Sequence, residues 1–400
     1  MTILQQSLSL QPYLTEIKRK IHQNPELGMA EFQTTALVKS ELEAMGVAIH
    51  PLSGEVGALG ILEGTAPGSG TPQVLGLRAD MDALPIQETA DVPDRSVVPG
   101  VMHACGHDCH TAMLLGAARL LSSMRDRFSG TVKFIFQPAE ETLGGSDYMI
   151  DQGVLENPKV DCIISLHGHS GYRLGEIALR EGPYMASSDF FTATLIGQAG
   201  HGAYPHRVGC DPILAASNSV MALQSIVTRQ IDATDPIVIS VCEIHGGTAK
   251  NIIPEKVRFG GSIRCQTPAT RNSIEERIRK VLQGVAASYN CTAELDYHYG
   301  VPPLVNSPDL MQAVWETASR VVGPENVKRI DIPAMGSEDF SAYLERAPRG
   351  FFVRLGIQPP DRAHILFHNG NFVFPEEALP YGTAFFTQFV LDQNGGSGRE

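Results

Sequence analysis

Apolar residues in the first fifty positions recur at the spacing of an α-helix. Leu14, Ile17 and Ile21 lie three or four positions apart, and the stretch from Val38 to Met45 repeats that spacing. A period near 3.6 residues places such side chains on one face of a helix. The pattern therefore predicts two amphipathic helices ahead of the first strand.

Farther along, short runs rich in β-branched and apolar residues alternate with helical patterns. The strand-like runs cover residues 74–77, 131–136 and 161–166, and the helical ones cover 112–124 and 146–152. This alternation predicts an α/β domain, in which a mostly parallel sheet carries helices on its faces.

Polar side chains follow all three strand-like runs. Asp80 and Asp82 come after the first run, Glu140 and Glu141 after the second, and His167 after the third. Because ligands bind at the carboxyl edge of a parallel sheet, we expect these side chains to lie near one site.

A different order of elements is predicted between residues 187 and 297. It is strand, helix, strand, strand, helix, strand, with the elements near residues 190–196, 211–229, 237–244, 256–263, 272–288 and 292–297. The β-α-β-β-α-β order is that of a ferredoxin-like unit. We therefore expect residues 187–297 to form a second domain inserted into the first.

The first domain is accordingly expected to be discontinuous, comprising residues 1–186 and 298–394. A helix near 310–322, a strand near 351–357 and a closing helix near 376–392 are predicted to complete it. The length of 400 residues allows each domain its own core. Residues 395–400, rich in glycine and serine, are predicted to be a flexible tail.

Charge and hydropathy exclude several classes of function. The 31 Lys and Arg against 44 Asp and Glu leave a net charge of −13, which argues against a nucleic-acid partner and against binding to anionic membranes. The apolar runs fall far short of the roughly 20 residues of a membrane span. The first ten residues lack the pattern of a signal peptide, so a cytoplasmic location is expected.

The seven cysteines are not spaced like a disulfide framework. Five occur singly among apolar or small residues and are predicted to be reduced: Cys162, Cys210, Cys242, Cys265 and Cys291. The other two belong to a denser cluster.

Residues 102–110 bring three histidines and two cysteines into nine positions. Cys105 and Cys109 lack the Cys-x-x-Cys spacing of a redox pair, and a structural zinc site would need a second pair of ligands. Metal binding by Cys105 and His107 is favoured, because residues two apart in an extended backbone point to the same side. His110, where a helix is predicted to begin, is expected to support a ligand or start the helix rather than bind an ion.

Glu140 and Glu141 allow two interpretations. A solvated loop is the usual setting of adjacent glutamates. The alternative divides their work, so that one binds metal while its neighbour accepts a proton from water. The nearby metal-binding cluster favours the second interpretation. His167 and His368, judged by spacing alone, are not distinguishable from structural or surface histidines.

Seven segments resemble, in order, the amidohydrolase branch of the metal-dependent aminoacylase and carboxypeptidase superfamily. The resemblance covers nearly the whole chain, and the branch includes hippurate hydrolases, N-acetyldiaminopimelate deacetylases and plant auxin-conjugate hydrolases. The matching segments are residues 25–28, 78–85, 102–110, 137–141, 200–206, 251–254 and 335–340.

The resemblance implies a dinuclear metal site with two divalent ions, Zn²⁺ or Mn²⁺ and alternatively Co²⁺ or Ni²⁺. Its implied ligands are Cys105, His107, Glu141, His167 and His368. Glu140 matches the general base. Asp82 is a candidate for orienting a ligand, whereas Asp80 is not expected to be a ligand.

The same resemblance assigns residues of the insert, which it implies is a lid and a dimerisation domain. His201 matches a residue that contacts the tetrahedral intermediate, often across a dimer interface. Asn251 and Arg264 match positions that hold the carboxylate side of the substrate, and Gly336 and Ser337 line the same pocket. A homodimer is expected, paired through residues near 215–239.

The implied reaction is hydrolysis of N-acyl-L-amino acids to a carboxylic acid and a free amino acid. Two alternatives remain open at this point: a carboxypeptidase or dipeptidase of the same superfamily, and a non-catalytic metal- or ligand-binding relative. The sequence departs from the branch pattern at Gly168–Gly171, where many relatives have a pair ending in proline, and at Gly370. The preferred acyl group is therefore left open.

Overall fold

The predicted alternation of helices and strands is present in a computed structural model, which describes residues 1–67, 73–361 and 364–395. The α-helices are α1 (Ile3–Ser9), α2 (Gln11–Gln23), α3 (Phe32–Ala44), α4 (His107–Ser122), α5 (Gly145–Asp151), α6 (Pro212–Arg229), α7 (Pro268–Ser288), α8 (Met311–Val322), α9 (Ser341–Arg346) and α10 (Leu379–Asn394). The strands are β1 (Ala48–His50), β2 (Ala58–Glu63), β3 (Val74–Asp80), β4 (Thr131–Gln137), β5 (Cys162–Arg173), β6 (Ile177–Leu179), β7 (Gly182–Met185), β8 (Asp189–Ile196), β9 (Gly200–His201), β10 (Ile237–Gly246), β11 (Ile252–Ile253), β12 (Lys256–Cys265), β13 (Thr292–His298), β14 (Leu304–Asn306), β15 (Val327–Arg329) and β16 (Gly350–Gln358). Short 3₁₀ turns occur at Arg125–Arg127, Pro205–Arg207, Pro308–Leu310, Pro324–Asn326 and Glu376–Ala378.

The chain divides into two units. The first comprises Met1–Gly182, Asn306–Asp331 and Ala342–Glu400, and the second comprises Pro183–Val305 and Ile332–Ser341. Each unit has its own apolar core.

The first unit is built on an eight-stranded sheet in the order β1-β2-β4-β3-β5-β16-β6-β15. Four neighbouring strands, β4, β3, β5 and β16, run parallel to one another, as do β6 and β15. The pairs β1–β2, β2–β4 and β6–β16 are antiparallel. The mostly parallel sheet that was predicted is therefore a mixed one. β1 and β6 contain three residues each, too few for a hydrophobic period to reveal them.

Helix α4 lies in the core of the first unit. It packs against α2 and α10, and almost all of its residues are buried. Gly116 allows this close approach, because a Cβ atom there would lie 2.5 Å from Leu14 Cδ2 and 2.7 Å from Thr383 Oγ1. The tight packing holds the first residues of α4 firmly beside the carboxyl end of β3.

The second unit has a four-stranded antiparallel sheet in the order β10-β12-β8-β13. Its elements follow the order β8, α6, β10, β12, α7, β13 along the chain. Exposure alternates along β13, as in a strand with one face towards a core. Helices α6 and α7 pack against each other and against the sheet. The short strands β9 and β11 form a separate pair.

The predicted domain boundaries differ from the observed division. Residues 183–186, 298–305 and 332–341, expected in the first domain, belong to the second unit. Hydrogen bonds explain part of the difference: the Ala186 N–H donates to the Gly336 carbonyl at 2.9 Å, and the Ser188 N–H donates to the Val301 carbonyl at 3.0 Å. Contacts over such sequence distances leave no periodic signal.

The predicted tail lies mostly outside the described residues, which end at Gly395. Gly395 itself forms an isolated antiparallel bridge with Phe128. Among the described residues, no helix is both long and apolar enough to cross a membrane.

Candidate metal centre

An extended backbone between Cys105 and His107 was expected from the sequence, but the structure has a turn there. Gly106 is left-handed, with φ of 91°, and α4 begins at His107. A Cβ atom on Gly106 would lie 2.5 Å from Phe374 Cδ2, so both the conformation and the packing require glycine. Cys105 and His107 are nevertheless both buried at the same site.

His107 presents one nitrogen to the site. Its Nδ1 lies 3.1 Å from the Asp82 Oδ1 atom, and a carboxylate partner keeps the proton on Nδ1. Because Nδ1 is engaged, Nε2 is the nitrogen that can bind a metal ion. Among the described residues, this buried nitrogen has no hydrogen-bond partner. It lies 3.9 Å from Glu141 Oε1 and 4.0 Å from Glu140 Oε2.

His167 is oriented in the same way. It lies within β5, which continues to Arg173 instead of ending at the histidine as predicted. Its Nδ1 lies 2.7 Å from the Gly168 carbonyl oxygen and donates to it, which leaves the Nε2 lone pair pointing at Cys105 Sγ, 3.4 Å away. Burial lowers the pKa of His167 well below its ordinary value, so the imidazole is held neutral, as a metal ligand must be.

Glu141 and His368 complete the cluster. The Glu141 N–H donates to Asp82 Oδ2 at 2.9 Å, so one carboxylate contacts both His107 and the backbone of Glu141. His368 Nε2 lies 3.3 Å from Glu141 Oε1, and the nearby carboxylate raises the pKa of His368. The His368 N–H donates to the Ala104 carbonyl at 2.9 Å.

The donor atoms are spaced as metal ligands would be. Two ligands at about 2.0–2.3 Å from one tetrahedral ion lie roughly 3.3–3.8 Å apart. The separations found are 3.3 Å for His368–Glu141, 3.4 Å for Cys105–His167 and 3.9 Å for His107–Glu141. Cys105, His107 and Glu141 can also turn one ligand atom each towards a common point. Thiolate, imidazole and carboxylate together suit Zn²⁺, Mn²⁺, Co²⁺ and Ni²⁺.

The field at the cluster favours a cation. Burial by itself would lower the pKa of His107, but the Asp80 carboxylate and the Cys105 sulfur raise it well above its ordinary value. Burial raises the pKa of the Cys105 thiol to about 12. Positive charge at the His107 ring is thus stabilised by its surroundings, and a divalent ion would reverse the effect on Cys105 by stabilising the thiolate.

Asp80 and His110 form a support beside the cluster. His110 Nδ1 lies 2.7 Å from Asp80 Oδ1, and its Nε2 accepts the Gly168 N–H at 3.0 Å. Asp80 Oδ2 accepts from Arg78 Nη1 at 2.7 Å. Both nitrogens of His110 and both oxygens of Asp80 are therefore engaged in hydrogen bonds, although donor atoms of Asp80, His107, His110 and His167 also lie within 4.8 Å of one another. That Asp80 and His110 are not ligands stays a prediction.

Glu140 lies on a tight turn after β4. Ala139 and Leu143 are left-handed, with φ of 56° and 57°, and the Leu143 N–H donates to the Glu140 carbonyl at 2.8 Å. Glu140 is buried close to the ligand atom of His107 but farther from it than a hydrogen bond. This distance is nearly the same as the 3.9 Å from His107 Nε2 to Glu141 Oε1, so the division of work between the two glutamates stays a prediction.

A family model and two kinds of relative match the chain. The model of peptidase family M20/M25/M40 matches residues 76–392. An IAA-amino acid hydrolase of Arabidopsis thaliana is 41% identical over 389 residues, covering 95% of this chain and 86% of the relative. The thermostable carboxypeptidase 2 of Saccharolobus solfataricus is 38% identical over 378 residues, covering 93% of each chain.

The chain belongs to peptidase family M20/M25/M40. A crystal structure of a dinuclear metal-binding M20 peptidase from Bacillus subtilis matches with a TM-score of 0.83 at 32% identity, over 96% of this chain and 98% of the other. The M20 chain described here is therefore a hydrolase, as the sequence analysis predicted, and the non-catalytic alternative is set aside.

The remaining predicted residues of the M20 chain lie in its second unit. His201 is exposed on β9, paired with Ile252 of β11, and Asn251 immediately precedes that strand. Arg264, on β12, is half-buried with its guanidinium 5.9 Å from the centre of the Phe190 ring.

Gly336 and Ser337 lie on the 332–341 segment, which groups with the second unit rather than with the first. The Gln266 side chain donates to the Ala334 carbonyl at 2.5 Å. Gln266 directly follows β12, the strand that carries Arg264, so this bond joins the segment to the end of that strand.

Two sets of supporting residues were missed in the sequence. His22 lies 2.8 Å from Asp108 and 3.2 Å from Glu88, in a buried group next to the start of α4. Asp108 lies inside the 102–110 cluster, and an acidic residue in the first turn of a helix is a signal that could have been used. Glu31, which contacts the turn before Glu140, carries no such signal.

Proposed function

We propose that this M20 hydrolase cleaves the amide bond of N-acyl-L-amino acids, releasing a carboxylic acid and a free amino acid. The observation that carries the proposal is the cluster of Cys105, His107, Glu141 and His167 with Glu140 directly beside it. Similarity to an enzyme named for hydrolysing an acylated amino acid supports the choice of substrate class.

We propose that Cys105, His107, Glu141, His167 and His368 hold two divalent ions, Zn²⁺ or Mn²⁺ and alternatively Co²⁺ or Ni²⁺. The free Nε2 atom of His107 and the sulfur, nitrogen and oxygen donors around it suit these ions. When bound, such ions lower the pKa of water and polarise a carbonyl group. Asp82 would orient His107 and hold the backbone of Glu141.

Glu140 would transfer the proton. As a water oxygen bonds to the amide carbon, the Glu140 carboxylate accepts one of the water protons. It then delivers that proton to the amide nitrogen while the carbon–nitrogen bond breaks, which releases the amine and restores the carboxylate. Burial of Glu140 excludes bulk water that would compete for the proton.

The second unit would act as a ferredoxin-like lid. Its β-α-β-β-α-β order and 4-1-3-2-type arrangement, with β8 and β12 in the middle of the sheet, support that description. Arg264 and Asn251 would hold the substrate carboxylate, since a guanidinium binds a carboxylate through two bonds. Gly336 and Ser337 would line the same pocket, and His201 would donate to the oxyanion.

We propose a homodimer that pairs through the second unit. Strand β10 lies at the edge of its sheet, where backbone N–H and C=O groups are available to pair with a strand of another chain. Val238 and Ile244 are exposed on that strand, and Leu214 and Met221 are exposed on α6. Large exposed apolar side chains on neighbouring elements are typical of an interface. A cytoplasmic location stays a prediction.

A carboxypeptidase or dipeptidase activity is the second candidate, supported by similarity to a thermostable carboxypeptidase. Both reactions use the same metal centre and a free carboxylate on the leaving half. They differ in whether the acyl half carries an amino group.

A substrate panel separates the two candidates. The protein is loaded separately with Zn²⁺, Mn²⁺, Co²⁺ and Ni²⁺ and given acetyl-, benzoyl- and indoleacetyl-amino acids beside dipeptides. We expect kcat/KM to be highest on an acyl amino acid. Derivatives whose α-carboxylate is esterified should be cleaved poorly, because Arg264 then has no carboxylate to bind. Faster cleavage of dipeptides would favour the second candidate, and Glu140→Gln serves as the inactive control.

A further inference from the structure

The turn that carries Glu140 is held from both sides by buried carboxylates. The Ala139 N–H donates to Glu31 Oε1 at 2.8 Å, and the Glu141 N–H donates to Asp82 Oδ2 at 2.9 Å. These two N–H groups belong to the residues immediately before and after Glu140. Each neighbour of Glu140 is therefore held by a buried carboxylate, in addition to the bond from the Leu143 N–H to the Glu140 carbonyl. Of the two carboxylates, only Asp82 also touches the ring of a predicted ligand, His107.

The turn has a conformation that requires such support. Ala139 has φ of 56°, a left-handed value that costs free energy in any residue with a Cβ atom. Residues in that region persist where their surroundings hold them. The segment before Glu31 is packed onto the same point, because a Cβ atom on Gly28 would lie 3.1 Å from both Cα and Cβ of Ala139.

Glu31 has no other evident task. Its side chain is fully buried, and Oε2 has no hydrogen-bond partner among the described residues. It stands at the start of α3, yet its side chain does not cap that helix. Glu26 does so instead, accepting the N–H groups of Gln33 and Thr34 at 3.0 and 2.9 Å. Burial of a carboxylate is costly, so the Ala139 contact is the benefit that remains.

We propose that Glu31 is a positioning residue for the general base, acting through the Ala139 N–H to keep Glu140 within reach of the attacking water. The role rests on the proposed function of Glu140. It depends on the length of the Glu31 side chain, because the acceptor oxygen must reach Ala139, and does not depend on its charge.

Two conservative variants separate reach from charge. Glu31→Asp keeps the carboxylate but shortens the side chain by one methylene, which withdraws the acceptor. Glu31→Gln keeps a carbonyl oxygen at full reach and removes the charge. Glu26→Asp is the matched control, because it shortens a glutamate at the start of the same helix without contact to Ala139.

Turnover is measured on the metal-loaded protein with the best acyl amino acid of the panel. We expect Glu31→Asp to lower kcat by about 10- to 100-fold with KM and bound metal near wild type, since small displacements of a catalytic group have effects of this size. Glu31→Gln and Glu26→Asp should stay near wild type. A wild-type kcat in Glu31→Asp, or an equal loss in Glu31→Gln, overturns the proposal.

Hydrogen exchange gives a readout that does not depend on activity. In metal-free protein, Glu31→Asp should speed exchange of the Ala139 amide, whereas Glu26→Asp should speed exchange only at Gln33 and Thr34. Unchanged exchange at Ala139 overturns the proposal. If wild-type protein cleaves no acyl amino acid, the proposed function fails, and the exchange experiment still decides whether Glu31 holds the turn.

A second variant covers the case in which Glu31→Asp is unstable. Ala139→Gly removes the steric cost of the left-handed residue and should restore folding in the Glu31→Asp background. The kcat of this double variant should remain low, because the acceptor is still withdrawn. A return to wild-type kcat would show that strain, and not the Glu31 contact, controls Glu140.

Discussion

Asp82 holds His107 by a contact of 3.1 Å between Oδ1 and Nδ1, while its other oxygen accepts the N–H of Glu141. One buried carboxylate thereby fixes the ring of one predicted ligand and the backbone of another. The arrangement couples the start of α4 to the turn after β4, although the two lie more than thirty residues apart in the chain.

Asp82→Asn should weaken metal binding by about 10- to 100-fold, because the ring loses the partner that keeps its Nε2 lone pair free. The measurement is a competition titration with a chelator of known affinity. Asp161→Asn is the control, since Asp161 also accepts a backbone N–H in the same unit, from Val74 at 2.8 Å. Asp161 lies just before β5, at the amino ends of the parallel strands, whereas Asp82 follows the carboxyl end of β3. Unchanged affinity in Asp82→Asn would contradict the orienting role.

Glu140→Gln should lower kcat by about 10²- to 10⁴-fold, the usual contribution of a general base, and leave bound metal near wild type. Elemental analysis and steady-state kinetics on the same preparation check both halves. Glu141→Gln is the paired variant and should lose metal. If Glu140→Gln loses metal and Glu141→Gln keeps it, the two roles are reversed.

Cys105→Ser should lose both metal and activity, because a hydroxyl replaces the thiolate among the predicted ligands. Cys162→Ser, at a buried thiol on β5 away from the cluster, should lose neither beyond a modest loss of stability. Adding back metal to chelator-treated protein should restore activity in wild type and in Cys162→Ser. Full activity of Cys105→Ser would refute the five-ligand assignment.

His22 should make stability depend on pH. Burial disfavours its charged form, but the Asp108 and Glu88 carboxylates outweigh burial and raise the pKa of His22 from 6.5 to about 9. A raised folded-state pKa adds stability that is complete below pH 6.5 and is lost as the pH rises through about 9. The loss should be of the order of 3 kcal/mol at most.

Urea unfolding of metal-free protein between pH 6 and pH 10 measures this effect. The difference between wild type and His22→Gln isolates the contribution of His22 from that of other groups. We expect the variant to be least impaired at the alkaline end. A difference that grows with rising pH would contradict the sign.

His201→Ala should lower kcat by about 10²- to 10³-fold, the usual cost of an oxyanion donor, with little change in metal content. If His201 serves the partner's site, a heterodimer of His201→Ala and Glu140→Gln has both lesions in one site and an intact second site. Activity should then return on mixing. Subunit exchange shown by mass spectrometry without a return of activity would place His201 in its own subunit's reaction.

Local patterns in the chain were sufficient for the main elements and indicated a metal site, whereas the full set of predicted ligands came from the family resemblance. The spacing of apolar residues identified α2, α3 and the central parallel strands. Each helix buries one face in the core, and each central strand buries both of its faces. Two features were conspicuous in the sequence: the five cysteines and histidines within residues 102–110, and the adjacent pair Glu140–Glu141. Neither packing nor solubility requires such residues there.

Only the tertiary structure decided how those residues face one another. Gly106 is left-handed, and Phe374, distant in the chain, leaves no room for a Cβ atom there. That turn sets the relation of Cys105 to His107. Residues 332–341 belong to the second unit through hydrogen bonds over long sequence distances. The Glu31–Ala139 contact spans 108 positions and has no period or motif. Patterns within a segment report which side of it is buried, whereas these contacts depend on which segments meet in the folded chain.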